Sequence, residues 1–140
     1  MIRKHADAKE LRKEMTRGIR EELRPVVQAV KSGYGGGKHL RPALRRATRM
    51  QVRTTGRQAG AKVMVDGRKM PDGMRSLPAY REGEKSPWRH PTFGRRGPKD
   101  WVNQAPHPVF YETVKPYIPK VNRRIEEIVT DIANKMQNWG

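Results

Sequence analysis

The side chains able to do acid–base or metal chemistry are few and scattered in this chain of 140 residues. None of the four histidines, His5, His39, His90 and His107, stands at ligand spacing from another histidine or a suitable carboxylate. That spacing argues against a metal site and makes His90 and His107 hydrogen-bonding loop residues. The paired acids Glu82 and Glu84, or Glu126 and Glu127, could in principle divide general acid and base roles. No candidate nucleophile stands beside them in sequence, so they read as surface groups. With no cysteine, a thiol nucleophile, a Cys-based zinc site and a disulfide scaffold are excluded together. The glycine run from Gly33 to Gly37 precedes Lys38 but lacks the spacing and flanking strand of a phosphate-cradling loop, and reads as a hinge. The expectation is a protein that is not an enzyme and takes no cofactor.

The strongest signal is electrostatic. The formal net charge is +17, far more than solubility requires, which points to a polyanionic partner or a charged assembly surface. Between Glu22 and Asp66 there is no acidic residue, yet the interval holds Arg24, Lys31, Lys38, Arg41, Arg45, Arg46, Arg49, Arg53, Arg57 and Lys62. A basic patch of Arg41, Arg45, Arg46, Arg49, Arg53, Arg57 and Lys62 suits either phosphates of duplex DNA, read without sequence preference, or acidic patches on neighbouring subunits. No recognition-helix, zinc-finger or aromatic RNA-binding signature accompanies it. Trp88, Phe93, Trp101, Phe110 and Tyr111 could stack on bases, but core and interface anchors are the commoner use of such residues.

Positioning these groups needs a fold with a modest core. Hydrophobic residues make up 34% of the chain, and 13 glycines and 11 prolines further limit regular structure. A small core offsets little more than its own conformational entropy, so burial of loops against neighbouring copies is expected. Leu11, Met15, Ile19, Leu23, Val26, Val27 and Val30 share one face of a helix over 7–31, which Pro25 should bend or split. The glycine-rich stretch 32–37 is a flexible joint. Residues 40–47 read as a short helical turn. Alternation over 49–54 and 61–66 predicts an antiparallel hairpin within 48–66.

Residues 67–108 form a long assembly loop, expected to pack between subunits, with brief extended segments at 78–81 and 88–93 that could join the hairpin's sheet. The C-terminal helix, within 109–137, carries Val114, Ile118, Val121, Ile125, Ile128, Val129, Ile132 and Met136 on one face, with Pro119 in its first turn. The expected class is α+β, a single domain over 1–140: a small antiparallel sheet packed by an N-terminal amphipathic helix and a long C-terminal helix. No apolar run approaches the roughly 20 residues of a membrane span, and the start lacks the apolar stretch of a signal peptide, so synthesis in the cytoplasm is expected.

The segment Trp88-Arg89-His90-Pro91-Thr92-Phe93-Gly94, then Trp101-Val102-Asn103-Gln104 and Pro108-Val109-Phe110-Tyr111, resembles the phage tail-component family typified by gene product ten of the Hong Kong 97 phage. In that family a His-Pro-x-Phe-Gly loop leads through a Trp and Gln segment into a long C-terminal helix. The resemblance runs closely from about Leu77 to Met136 and loosely before it. It implies a structural virion subunit of the head-to-tail junction, a tail-completion, neck or tail-terminator protein. Such a subunit would form a homo-oligomeric ring, expected to be hexameric, between the head-closure and tail-tube proteins, with passing duplex DNA as a further contact. Trp88, His90, Phe93, Trp101, Gln104, Phe110 and Tyr111 become the expected assembly residues. The alternative, from charge alone, is a free DNA-binding protein without sequence specificity.

Overall fold

The computed structural model describes residues 2–35, 38–57, 59–84, 88–91, 101–104 and 106–138; for 2–6, 88–91 and 101–104 it describes the backbone. The architecture is α+β. Helix α1 runs Ile2–Gly33, α2 Leu40–Ala47, strand β1 Thr48–Arg53, β2 Gly60–Val65, α3 Leu77–Glu82, β3 Trp88–Pro91, β4 Trp101–Gln104, α4 Phe110–Val114 and α5 Ile118–Gln137. One-turn 3-10 segments at Gly67–Lys69 and Lys115–Tyr117 complete the path.

Helix α1 is longer at both ends than its apolar spacing predicts, and it runs unbroken through Pro25. A proline inside a helix costs about 3 kcal/mol locally. Here Leu23, Val26, Val27 and Val30 are all buried around it, and that packing outweighs the lost hydrogen bond while Pro25 itself faces solvent. Of the expected bend or split, the split into two segments does not occur. Helix α5 lies antiparallel along α1: Lys135 pairs with Glu14 at 2.5 Å and Arg124 with Glu22 at 3.2 Å, with Ile128 seated on Gly18 between them. A β-carbon at Gly18 would stand 3.3 Å from the Ile128 side chain, so the small residue sets the closeness of the two helices.

The glycine stretch is not a free joint where it is described. Tyr34 is buried, and its hydroxyl lies 2.7 Å from Thr48 Oγ1, whose own proton goes to the Leu44 carbonyl at 2.8 Å. A threonine hydroxyl has one proton, so Tyr34 must be the donor. This relay ties the end of α1 to the junction of α2 and β1. Around it Val30, Tyr34, Ala43, Leu44, Ala47 and Met70 form one core cluster, flanked by Val65, Leu77, Val109 and Phe110. Burial pushes the Tyr34 hydroxyl pKa upward.

Strands β1 and β2 pair antiparallel from Thr48 opposite Val65 to Arg53 opposite Gly60, as the hairpin reading expects. Asp66, 4% exposed, closes the hairpin. Its amide donates to the Ala47 carbonyl at 2.7 Å, and its carboxylate receives the Arg68 amide and guanidinium and the Arg49 guanidinium. The Arg68 hydrogen bonds, more than any other partner, hold its carboxyl down at about 2.

Two expectations are corrected beyond the hairpin. Residues 78–81 are helical, within α3, not extended. Pro78 sits in the first helical turn, where its missing donor costs nothing, and Gly83 ends the helix at φ +86°. Strands β3 and β4 pair with each other, not with the β1–β2 hairpin, so the described residues form two separate two-stranded sheets. The 67–108 segment thus carries elements of its own, because Met70, Met74 and Leu77 reach the core cluster and give its first part something to pack on. At the C-terminal end Pro119 lies in the first turn of α5 as its spacing predicts.

Two stability predictions follow from this arrangement. Thr48→Val should cost about 1–3 kcal/mol in denaturant unfolding, because it strands the buried Tyr34 hydroxyl, while Tyr34→Phe should cost about 1 kcal/mol. The double variant should be less destabilised than the sum, since no unpaired hydroxyl is left; a strictly additive cycle would refute the relay. The Asp66 carboxyl, depressed in the folded state, contributes stability that is present above the unfolded carboxyl pKa, roughly 3.9, and is lost as pH falls through about 2. The stability gap between the wild type and Asp66→Asn, followed by urea titration, should be largest near neutrality and shrink toward pH 2.

Candidate functional site

Among the described residues, Glu82 and Glu84 line one open hollow together with Phe110 and Tyr111. Among the described residues, no group of three or more His, Asp or Glu side chains comes together as a metal site would require. Of the paired acids, Glu82 and Glu84 are tied to the fold. Glu82 Oε1 accepts the Val109 and Phe110 amides at 2.9 and 2.8 Å, capping α4, and Glu84 accepts the Tyr111 hydroxyl at 2.6 Å. That hydrogen bond to a carboxylate raises the Tyr111 pKa. Glu127 pairs with Arg124 on its own helix. Arg81, buried beside Glu82 in sequence, donates to the Gly35 carbonyl at 3.0 Å, and its own carbonyl receives the His107 amide. The α3 helix therefore clamps both the end of α1 and the entry to α4.

The expected assembly residues divide. Phe110 packs against the core cluster and meets Tyr111 edge to face at 5.4 Å, while Tyr111 is 58% exposed. In the β3–β4 ribbon Trp88 stands opposite Gln104, His90 opposite Val102 and Trp101 opposite Pro91, so the pairing register brings four of the expected positions into one small sheet. Phe93 lies outside the described residues.

The expected basic patch also divides. Arg41, Arg46, Arg53, Arg57 and Lys62 are exposed. Arg45 instead donates to the Lys31 carbonyl at 3.1 Å, stitching α2 to the last turn of α1, and Arg49 is held at 3.1 Å by Asp66. The acid that ends the acid-free interval thus neutralises one of its cations.

A second basic face was not legible as one in the sequence. Lys9, Arg12, Lys13, Arg17, Arg20 and Arg24 share one face of α1 and, with Thr16 and Thr54, line an open groove of about 480 Å³. In the linear sequence they alternate with Glu10, Glu14, Glu21 and Glu22 and look neutralised. In the fold Glu14 and Glu22 are turned to α5 and paired there. Only Lys13 of the row has an ion pair among the described residues, with Glu10 at 3.3 Å. Helical spacing of Lys and Arg counted apart from the acids is the signal that could have found the row.

The C-terminal helix carries a third surface. Ile132 is buried against the rest of the molecule, but Ile118, Val129 and Met136 are 47%, 45% and 48% exposed. With half-buried Ile125 they follow one another at the seven- and four-residue steps of a helix–helix seam. No described helix is long and apolar enough to cross a membrane. No family model, curated protein or solved structure matches this chain.

Proposed function

We propose that this protein is a structural subunit of a phage head-to-tail junction, a tail-completion, neck or tail-terminator component that assembles into a ring, with a hexamer as the expected closure. The observation that carries the reading is the exposed apolar edge of α5. That helix has more apolar surface than α1 can cover, so Ile118, Val129 and Met136 are left half in water. Removing apolar surface from water contributes about 25 cal/mol per Å², and a neighbouring copy is the occupant that a ring supplies. The loop motif from Trp88 to Tyr111 supports the junction as the place of assembly through its resemblance to phage tail components. The order of helix, basic turn, hairpin, loop strands and long final helix is compatible with it.

Glu82 caps α4 and Glu84 accepts the Tyr111 hydroxyl, structural work that suits an assembly subunit. Assembly subunits need surfaces, and surfaces are what this chain has in excess. Head-to-tail contacts in a closed ring join two different faces of the same chain, so the apolar edge of α5 would meet another face of the next copy.

The test is native mass spectrometry of the purified full chain, with electron microscopy of phage particles that contain it. The expected result is concentration-dependent self-association and a ring at the neck. The double variant Val129→Glu, Met136→Glu should keep its helical circular dichroism and lose both, because exposed positions contribute little to monomer stability, typically within about 0.5 kcal/mol. A wild-type chain that remains monomeric at high concentration and is missing from particles would overturn the reading.

A further inference from the structure

We infer that the cationic groove along α1 is a binding site for the phosphate backbone of duplex DNA. The inference does not depend on the assembly reading, since a monomer carries the same groove. Its first support is charge segregation: α5 takes Glu14 and Glu22 out of play, while Lys9, Arg12, Arg17, Arg20 and Arg24 have no ion-pair partner among the described residues. Five uncompensated cations on one face repel each other, an arrangement that favours the arrival of an anion.

The lining selects the class of anion. Every groove residue is a lysine, an arginine or a threonine, with no apolar or aromatic side chain among them. A protein partner would need a desolvated apolar centre, and a single strand would need a ring on which to stack its bases. Interfaces with duplex DNA are polar and strongly positive, and hydroxyls such as those of Thr16 and Thr54 are ordinary phosphate donors. The geometry fits as well. From Lys9 to Arg24 the row spans about 22 Å at 1.5 Å per residue, matching about six base pairs of regularly spaced phosphates. The helix is continuous and its face is open, so a duplex can lie along it without any rearrangement of the fold. Binding of this kind is blind to base sequence.

The experiment is fluorescence anisotropy of a labelled 20-base-pair duplex with the full chain, titrated at several salt concentrations. The wild type should show a slope of log affinity against log salt of about −4 to −5, near 0.9 for each cation engaged. The variant Arg12→Gln, Arg17→Gln, Arg20→Gln should lower that slope by about 3 and weaken binding on the order of 100-fold near 0.1 M salt. A second variant, Lys38→Gln, Lys69→Gln, Arg75→Gln, removes the same charge from exposed positions that do not line the groove and should leave the slope nearly unchanged. Equal losses in the two variants would mean diffuse attraction to net charge and would overturn the site, provided circular dichroism shows both folded. Competition by polyglutamate as effective as by unlabelled duplex would overturn DNA as the ligand.

Discussion

Between Ile19 and Val30 the first helix buries a continuous apolar stripe, and each other well-packed element takes its place from how it covers that stripe. The β1–β2 hairpin lies against it, α5 runs antiparallel beside it, and the core cluster around Leu44 closes its end. The need to cover this one stripe also explains why Pro25 does not break the helix. Burial on both sides of the proline is cooperative with helix continuity, since a split would expose Val26, Val27 and Val30 together. The polar knots serve the same end. Tyr34 through Thr48, and Asp66 through the Ala47 carbonyl, fix the chain where it turns from helix into sheet, so that the hairpin meets α1 in a single register.

A core this small leaves surfaces with unmet requirements, and they differ in kind. The outer edge of α5 is apolar and half in water, which calls for another apolar surface. The outer row of α1 is cationic, and among the described residues only Lys13 of that row has an ion-pair partner. The two are shaped by one packing event: docking α5 on α1 pairs Glu14 and Glu22 of α1 and covers the inner apolar residues of α5, and leaves the cations of the one and the outer edge of the other. The clamp formed by Arg81 and Glu82 holds the remaining piece, the entry to α4, against the end of α1.

Much of the fold is legible in the chain itself. Periodicity alone marks α1 and α5, because an amphipathic stripe is a local consequence of which residues are apolar. Alternation with a Gly-rich turn marks the β1–β2 hairpin in the same way. The α3 helix was not legible: its six residues are too few to show a period, and only contact of Leu77 with the core cluster decides helix over strand there. The pairing of β3 with β4 was equally hidden, since short strands carry no mark of which partner they will choose.

For the surfaces, the sequence by itself determined the net charge and the absence of cysteine, because neither depends on folding. Only the tertiary structure decided which cations are available. Arg49 is lost to Asp66 and Arg45 to the end of α1, while the row from Lys9 to Arg24 is released when α5 takes the neighbouring acids. The physical reason is range. Composition sums charges along the chain, whereas pairing acts over about 4 Å in space, and residues more than a hundred positions apart meet only once the helices have packed.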